Sequence, residues 1–174
     1  MRAASDDLSG CHDRASTIAA LEAMVAGGVD GFRPAVVLVD LDRGEERDDG
    51  HDSGAGDEFL GVVARRLHGA VREDDFVGRM DGDEFLVVCP RIATAAEAVR
   101  IAVRIADSLR HQIQIKNTRV GAQVSIGVAW SSGPGADAGT LVSQAGAAQG
   151  ESKRRGDRRP VLFTPSLAPA PPPD

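Results

Sequence analysis

Two apolar runs, Phe76–Met80 and Phe85–Val88, are joined only by Asp81-Gly82-Asp83-Glu84. So short a link between strand-like runs reads as a tight turn, and the pair folds back as an antiparallel hairpin. That commits the chain to a sheet. Such a turn is served by one glycine and one aspartate. Three carboxylates on it exceed what the backbone requires.

Ala35–Val39 is an unbroken apolar run that stops at Asp40, as expected of a buried strand. Helical patterns lie between the strand signals. Ile18, Leu21 and Met24/Val25 recur at helical spacing over 14–26, and Gly27-Gly28 ends that helix. Leu60, Val63, Leu67 and Val71 form one stripe, with Glu58, Arg65, Arg66 and His68 outside it. Ala98, Ile101/Ala102, Ile105 and Leu109 form the inward face of a helix over 95–109. The polar, glycine-rich stretch 41–55 reads as a loop.

From 112 to 129 the period becomes two. Val120, Ala122, Val124, Ile126 and Val128 alternate with Gly121, Gln123, Ser125 and Gly127, which predicts a strand with one buried face. A helix from Thr140 to Arg155 is weakened by Gly146 and Gly150, and Val161–Phe163 is a short last strand. Hairpins mixed with helical crossovers predict an α+β fold, a mainly antiparallel central sheet with helices packed on it. The expected domain is 1–164, followed by a proline-rich, disordered tail over 165–174.

Aromatic residues make up only 3% of the chain and tyrosine is absent, so the core must come from Val, Ile, Leu and Ala. A net charge of −6 argues against nucleic-acid binding, which needs a strongly basic face. Lys153-Arg154-Arg155 with Arg158-Arg159 is a local exception, suited to an anion. Cys11 and Cys89 make no disulfide framework, and no run approaches a membrane span or a leader's apolar core. A cytoplasmic protein is expected.

Asp40 and the Asp81–Glu84 turn both fall at strand ends, where Asp40 and Asp83 come within reach of one ion. Magnesium takes oxygen ligands, usually one or two carboxylates with substrate phosphates. Taken singly, Asp40 caps a strand and the turn acids are solvated. Together they favour a metal–triphosphate site, with the turn at Gly82 offering a backbone N–H to phosphate.

The ordered motifs resemble the GGDEF domains, the catalytic domains of diguanylate cyclases. "RMDGDEF" (79–85) is similar to the signature R-x-G-G-D-E-F, and "DDLSGCHDR" (6–14) to the opening D-x-L-T-G-L-x-N-R. "DLDRGEERDDGHDSGAGDEFL" (40–60) aligns without a gap to D-[IL]-D-x-F-K-x-I-N-D-x-x-G-H-x-x-G-D-x-x-L. "VSIGVA" (124–129) resembles S-I-G-[VI]-A, and "LVSQAGAAQGESKRRG" (141–156) resembles L-[IL]-x-x-A-D-x-A-L-Y-x-A-K-x-x-G. Essentially residues 6 to 163 are covered.

The resemblance implies that Asp40 and Asp83 bind magnesium with help from the Leu41 carbonyl, two ions being held in an active enzyme. It places Glu84 at the reacting 3′-hydroxyl or a second metal, and Lys153 on the triphosphate. Asp57, and Asp48 at the family's asparagine, would read guanine. Arg72 and Asp75 fit the R-x-x-D product-inhibition site, or are only a surface ion pair.

Several positions depart from the pattern. The first signature glycine is Asp81; the loop Phe and Lys are Gly44 and Glu45; the guanine-contacting Asn is Asp48; the next Gly-His is Asp52-Ser53. In the last helix Leu-Tyr becomes Gln149-Gly150, Asp becomes Gly146, and the Arg after the glycine becomes Asp157, with Arg158 one residue beyond. Glu45 and Asp157 reverse a sign, and Asp81 adds a negative charge near phosphate. Two unit charges about 4 Å apart interact by roughly 4 kcal/mol at an effective dielectric of 20. Even screened, several such changes rival a micromolar affinity of about 8 kcal/mol.

The sequence therefore predicts a GGDEF-domain protein of cyclic di-GMP signalling with reduced or lost cyclase activity and a nucleotide-binding or regulatory role. The alternative is an active diguanylate cyclase converting two GTP to cyclic di-GMP and pyrophosphate. Its partners would be GTP or cyclic di-GMP, with a homodimer if active and otherwise a protein partner. A convergent metal-dependent nuclease is disfavoured by the acidic charge.

Overall fold

The computed structural model describes residues 10–27, 33–42, 53–131 and 137–168. The elements are α1 (Arg14–Ala26), β1 (Arg33–Asp42), α2 (Ser53–Ala70), β2 (Phe76–Asp81), β3 (Glu84–Ile92) and α3 (Ala95–Leu109). They continue with β4 (Ile113–Ile115), β5 (Thr118–Val120), β6 (Gln123–Trp130), α4 (Ala138–Arg155) and β7 (Val161–Leu162). A single 3₁₀ turn, Pro165–Leu167, follows. The main sheet has strand order β2-β3-β1-β6-β7, antiparallel except for the parallel β6–β7 pair. This is the expected α+β architecture. Among the described residues no helix is long and apolar enough to cross a membrane.

Helices cover both faces of the sheet, which is why β1 reads as an unbroken apolar run. Val37, Val39 and Leu41 pack with Phe85, Val87, Val124, Ile126 and Val128 under α2 and α3. On the opposite face Val36, Leu38, Leu86 and Val88 meet Leu21 of α1 and Leu141 and Ala145 of α4. The predicted stripes of α2 and α3 both turn inward. Successive strand residues alternate between the two faces. Asp40, Asp42, Glu84 and Ser125 therefore share the face covered by α4.

The region 112–129 is divided more finely than the predicted strand with one buried face, into three strands. β4 and β5 form a separate hairpin, and β6 begins only at Gln123. β6 is also buried on both faces. Of the expected loop 41–55, Leu41 and Asp42 belong to β1 and residues 53–55 to α2, while 43–52 lie outside the described residues.

Small residues set how closely α4 approaches the sheet. A Cβ on Gly127 would collide with Ala145 O and Gln149 N and stand 2.9 Å from Gln149 Cα. Ala145 and Ala148 are themselves fully buried. Ser152 Oγ, also buried, accepts from Ile126 N at 3.1 Å and donates to Arg159 O at 3.0 Å. Thus α4 sits almost backbone-to-backbone on β6, and its last turns are brought to the acidic end of β1. The helix is continuous through Gly146 and Gly150. Tertiary packing outweighs their low helix propensity.

Candidate functional site

The hairpin between β2 and β3 closes tightly. Asp81 pairs with Glu84, leaving Gly82 and Asp83 at the tip, with Gly82 at φ +37°. That left-handed value suits glycine, and Arg79 Nε braces the tip by donating to Gly82 O at 2.9 Å. The tip is tied to the neighbouring strand, since Leu41 N donates to Asp83 O at 3.2 Å. In the β1–β3 register Asp40 stands opposite Glu84. The two acidic stretches therefore meet at one edge of the sheet, as their strand-end positions predicted.

The last turns of α4 supply the counter-charge. Lys153 Nζ lies 3.3 Å from Asp40 Oδ2 and 2.7 Å from Asp42 Oδ1. The Asp42 contact is an ion pair by distance, off the line of an aligned hydrogen bond. Gln149, one turn earlier, donates its amide to Asp40 Oδ2 at 2.9 Å. Asp42 Oδ2 accepts from Ser125 Oγ at 2.8 Å. The Lys153 ammonium is held above its ordinary range, first by the close contact with Asp42 and then by the Asp40 charge.

Burial, then the Asp40 charge, raises the Glu84 carboxyl above the ordinary value of 4.5. Arg14 pulls it back, and Asp81 adds a smaller upward push. An ionised Glu84 is thus penalised in the folded state alone. The penalty is present above the raised folded value and vanishes below 4.5, where folded and unfolded chains are both protonated. Glu84→Gln should therefore raise the melting temperature of metal-free protein at pH 7.5, and the gain should fade as pH falls towards 4.5. Thermal scans across that range check it; a lower melting temperature for the variant at pH 7.5 would contradict the crowding.

That crowding is what a cation relieves, so the donor chemistry of Asp40, Asp83 and Glu84 fits magnesium. The arrangement is not fully assembled for one. Among the described residues no three His, Cys, Asp or Glu side chains form a group that could hold an ion.

The other expected site residues fall outside this network. Asp57 is half-buried in α2 and enters none of these contacts. Asp48, Gly44, Glu45 and Asp52 lie outside the described residues. Arg72 and Asp75 do not form the surface ion pair considered as an alternative. Asp75 Oδ2 accepts from Arg72 N at 2.8 Å, and Asp75 N donates to Arg72 O at 3.1 Å, which closes a turn. The Arg72 guanidinium instead reaches Glu97 Oε1 at 3.0 Å. Glu97 is held by the start of α3, accepting from Ala93 N at 2.9 Å while its own N–H donates to Thr94 Oγ1.

Sequence reasoning missed Asp42, Ser125 and the donor role of Gln149. Strand parity was the available signal for the first two, because both lie on the face that carries Asp40. The approach of Gln149 depends on how closely α4 sits on Gly127, which no periodicity encodes.

The family described as "Diguanylate cyclase, GGDEF domain" matches residues 3–159. An uncharacterized protein of Mycobacterium tuberculosis (strain H37Rv) is 32% identical over 164 residues, covering 94% of this chain and 26% of the relative. Diguanylate cyclase TpbB of Pseudomonas aeruginosa is 38% identical over 96 residues, covering 55% of this chain and 22% of TpbB. The chain spans about a quarter of the length of these curated relatives. The solved GGDEF domain of TpbB superposes with a TM-score of 0.86 at 28% identity, covering 94% of this chain and 96% of that one. P. aeruginosa diguanylate cyclase SiaD, solved with its activator SiaC, gives a TM-score of 0.80 at 28% identity over 91% of this chain and 61% of that one.

Proposed function

The chain belongs to the diguanylate cyclase GGDEF-domain family, and we propose that it is a cyclic di-GMP signalling module that binds a guanine nucleotide with weakened cyclase activity. One observation carries this reading. The hairpin tip, the end of β1 and Lys153 of α4 come together at a single sheet edge from points over a hundred residues apart. A cationic side chain beside crowded carboxylates is what a metal-bearing polyphosphate requires. Asp81, exposed at that edge, supports the weakening, since it adds negative charge beside Glu84.

Asp40, Asp83 and the Leu41 carbonyl would hold magnesium, which when bound supplies charge neutralisation for phosphoryl transfer. The chain's own groups have separable tasks. Glu84, with its raised proton affinity, is suited to take the proton of a ribose 3′-hydroxyl. Lys153 turns from Asp40 and Asp42 to the phosphates, and Asp57 reads the guanine edge. Arg72 and Asp75 are the candidate contact for cyclic di-GMP, which must draw the Arg72 guanidinium away from Glu97.

The second reading, an active cyclase joining two GTP with release of pyrophosphate, is favoured by Asp40, Asp83, Glu84 and Lys153 all being present at one edge. It needs two nucleotide-loaded copies face to face. A regulatory domain instead needs a protein partner; a partner is also found on a cyclase, since diguanylate cyclase SiaD was solved with its activator SiaC.

Calorimetric titration with a non-hydrolysable GTP analogue and magnesium, and separately with cyclic di-GMP, tests the proposal together with a turnover assay on GTP. Nucleotide binding with slow or absent turnover is expected. Fast turnover would establish the second reading, and binding of neither ligand would sink both.

A further inference from the structure

Gln149 stands at a position where the family pattern carries leucine, and its amide donates to Asp40 Oδ2. Lys153, four residues on and therefore on the same side of α4, approaches the same oxygen. A carboxylate oxygen has two lone pairs, so Oδ2 is already saturated by these donors. A divalent cation that ligates through Oδ2 competes for those same lone pairs. From this geometry we infer that Gln149 is a positioning residue that sets the cation affinity of the acidic edge by occupying Asp40.

The inference rests on the reading that Asp40 holds a cation, and three features support it. First, the backbone that carries the donor is closely placed. The backbone of Gln149 lies against Gly127 with no room for a Cβ between them, so the side chain leaves α4 from a fixed point. Second, a neutral amide has less reason than Lys153 to leave. Lys153 has phosphates to turn to when a nucleotide arrives, and Asp42 as its partner when none is bound. Gln149 gains nothing comparable, so its hydrogen bond is a net loss on metal binding. Third, the contact accounts for an otherwise unexplained feature of the edge. Asp40 and Glu84 stand in register, yet their side chains do not assemble with a third ligand among the described residues. Asp40 is turned to α4 instead.

Titration of the full chain with Mn²⁺ alone, followed by electron paramagnetic resonance of the free ion, tests this without relying on turnover. Gln149→Met keeps the length of the side chain and removes the donor. It should tighten Asp40-dependent Mn²⁺ binding about tenfold, equivalent to about 1.4 kcal/mol. Gln149→Lys adds a second ammonium and should weaken it below the parent. Opposite shifts from two substitutions at one position are not expected of a merely structural role, and the melting temperature of each metal-free variant reports whether it folds. Asp40→Asn should abolish both shifts. Mn²⁺ binding that needs Asp40 but is equal in parent and Gln149→Met would overturn the inference while leaving Asp40 as a ligand. Binding unchanged by Asp40→Asn, or no binding in any variant, would overturn the reading of Asp40 and the inference with it.

Discussion

Gly127→Ala is expected to destabilise the chain by about 3 kcal/mol, the upper part of the usual range for overpacking a tight core. The new methyl meets backbone, not a side chain that can rotate away. Ala145 O and the N and Cα of Gln149 all lie on α4, so relief requires the whole helix to lift. For a chain of this size that is roughly a 10 °C fall in melting temperature. The displaced helix also carries Gln149 and Lys153 away from Asp40, coupling the fold to the acidic edge. Gly146→Ala on the same helix is the control. Nothing lies within 4 Å of its added Cβ, and alanine improves helix propensity by about 1 kcal/mol. Its melting temperature should rise. Equal effects from the two substitutions would show that α4 does not sit as closely on β6 as the glycine implies.

Why α4 was harder to read than α2 or α3 follows from the same contact. The stripes of α2 and α3 face large apolar side chains, and a regular 3.6-residue pattern of Leu, Ile and Val results. α4 faces Ser125, Gly127 and Ala129, so its contact residues are small and its propensity poor. β1 was legible because both its faces are apolar. The β4–β5 hairpin was not, since no glycine or proline marks its turn; the one trace of it is a change of apolar phase, odd at Ile113 and Ile115 and even from Val120. Lys116 takes the left-handed conformation there at φ +50°, an uncommon choice for a non-glycine residue.

The candidate site divides along similar lines. Strand-end acids such as Asp40 and Glu84 announce themselves by interrupting apolar runs. Contacts made across layers do not. Lys153 on Asp42 depends on strand parity and helix approach together, neither of which shows in a linear pattern. Arg72 illustrates the reverse difficulty. Its spacing to Asp75 suggested a pair, but Glu97, placed by the cap of α3, offers the guanidinium a nearer carboxylate. Local chemistry in a different element decided the contact.

Asp81→Gly should tighten binding of a GTP analogue with magnesium by about tenfold, corresponding to about 1.4 kcal/mol. Asp81 is exposed at the hairpin tip and pairs in register with Glu84, so its removal costs the fold little. Gly82 and the Arg79 brace maintain the turn without it. What is lost is a negative charge that already adds to the crowding of Glu84 and that a triphosphate would meet next. Screening by solvent keeps each such pair to about 1 kcal/mol or less, but several phosphate charges add to the effect. Two mechanisms are separable. Asp81→Asn removes the charge and keeps the side chain, so recovery of most of the gain by this variant assigns the defect to electrostatics. The gain should then shrink in about 0.5 M salt, where the Debye length falls well below the roughly 10 Å found at 0.1 M. A gain confined to Asp81→Gly would assign the defect to side-chain bulk where glycine permits close approach. Unchanged affinity in both variants would mean that Asp81 is tolerated and that the weakening lies at Glu45, Asp48 or Asp157. Glu45→Lys combined with Asp81→Gly then becomes the decisive variant, because it restores the sign of the loop lysine as well.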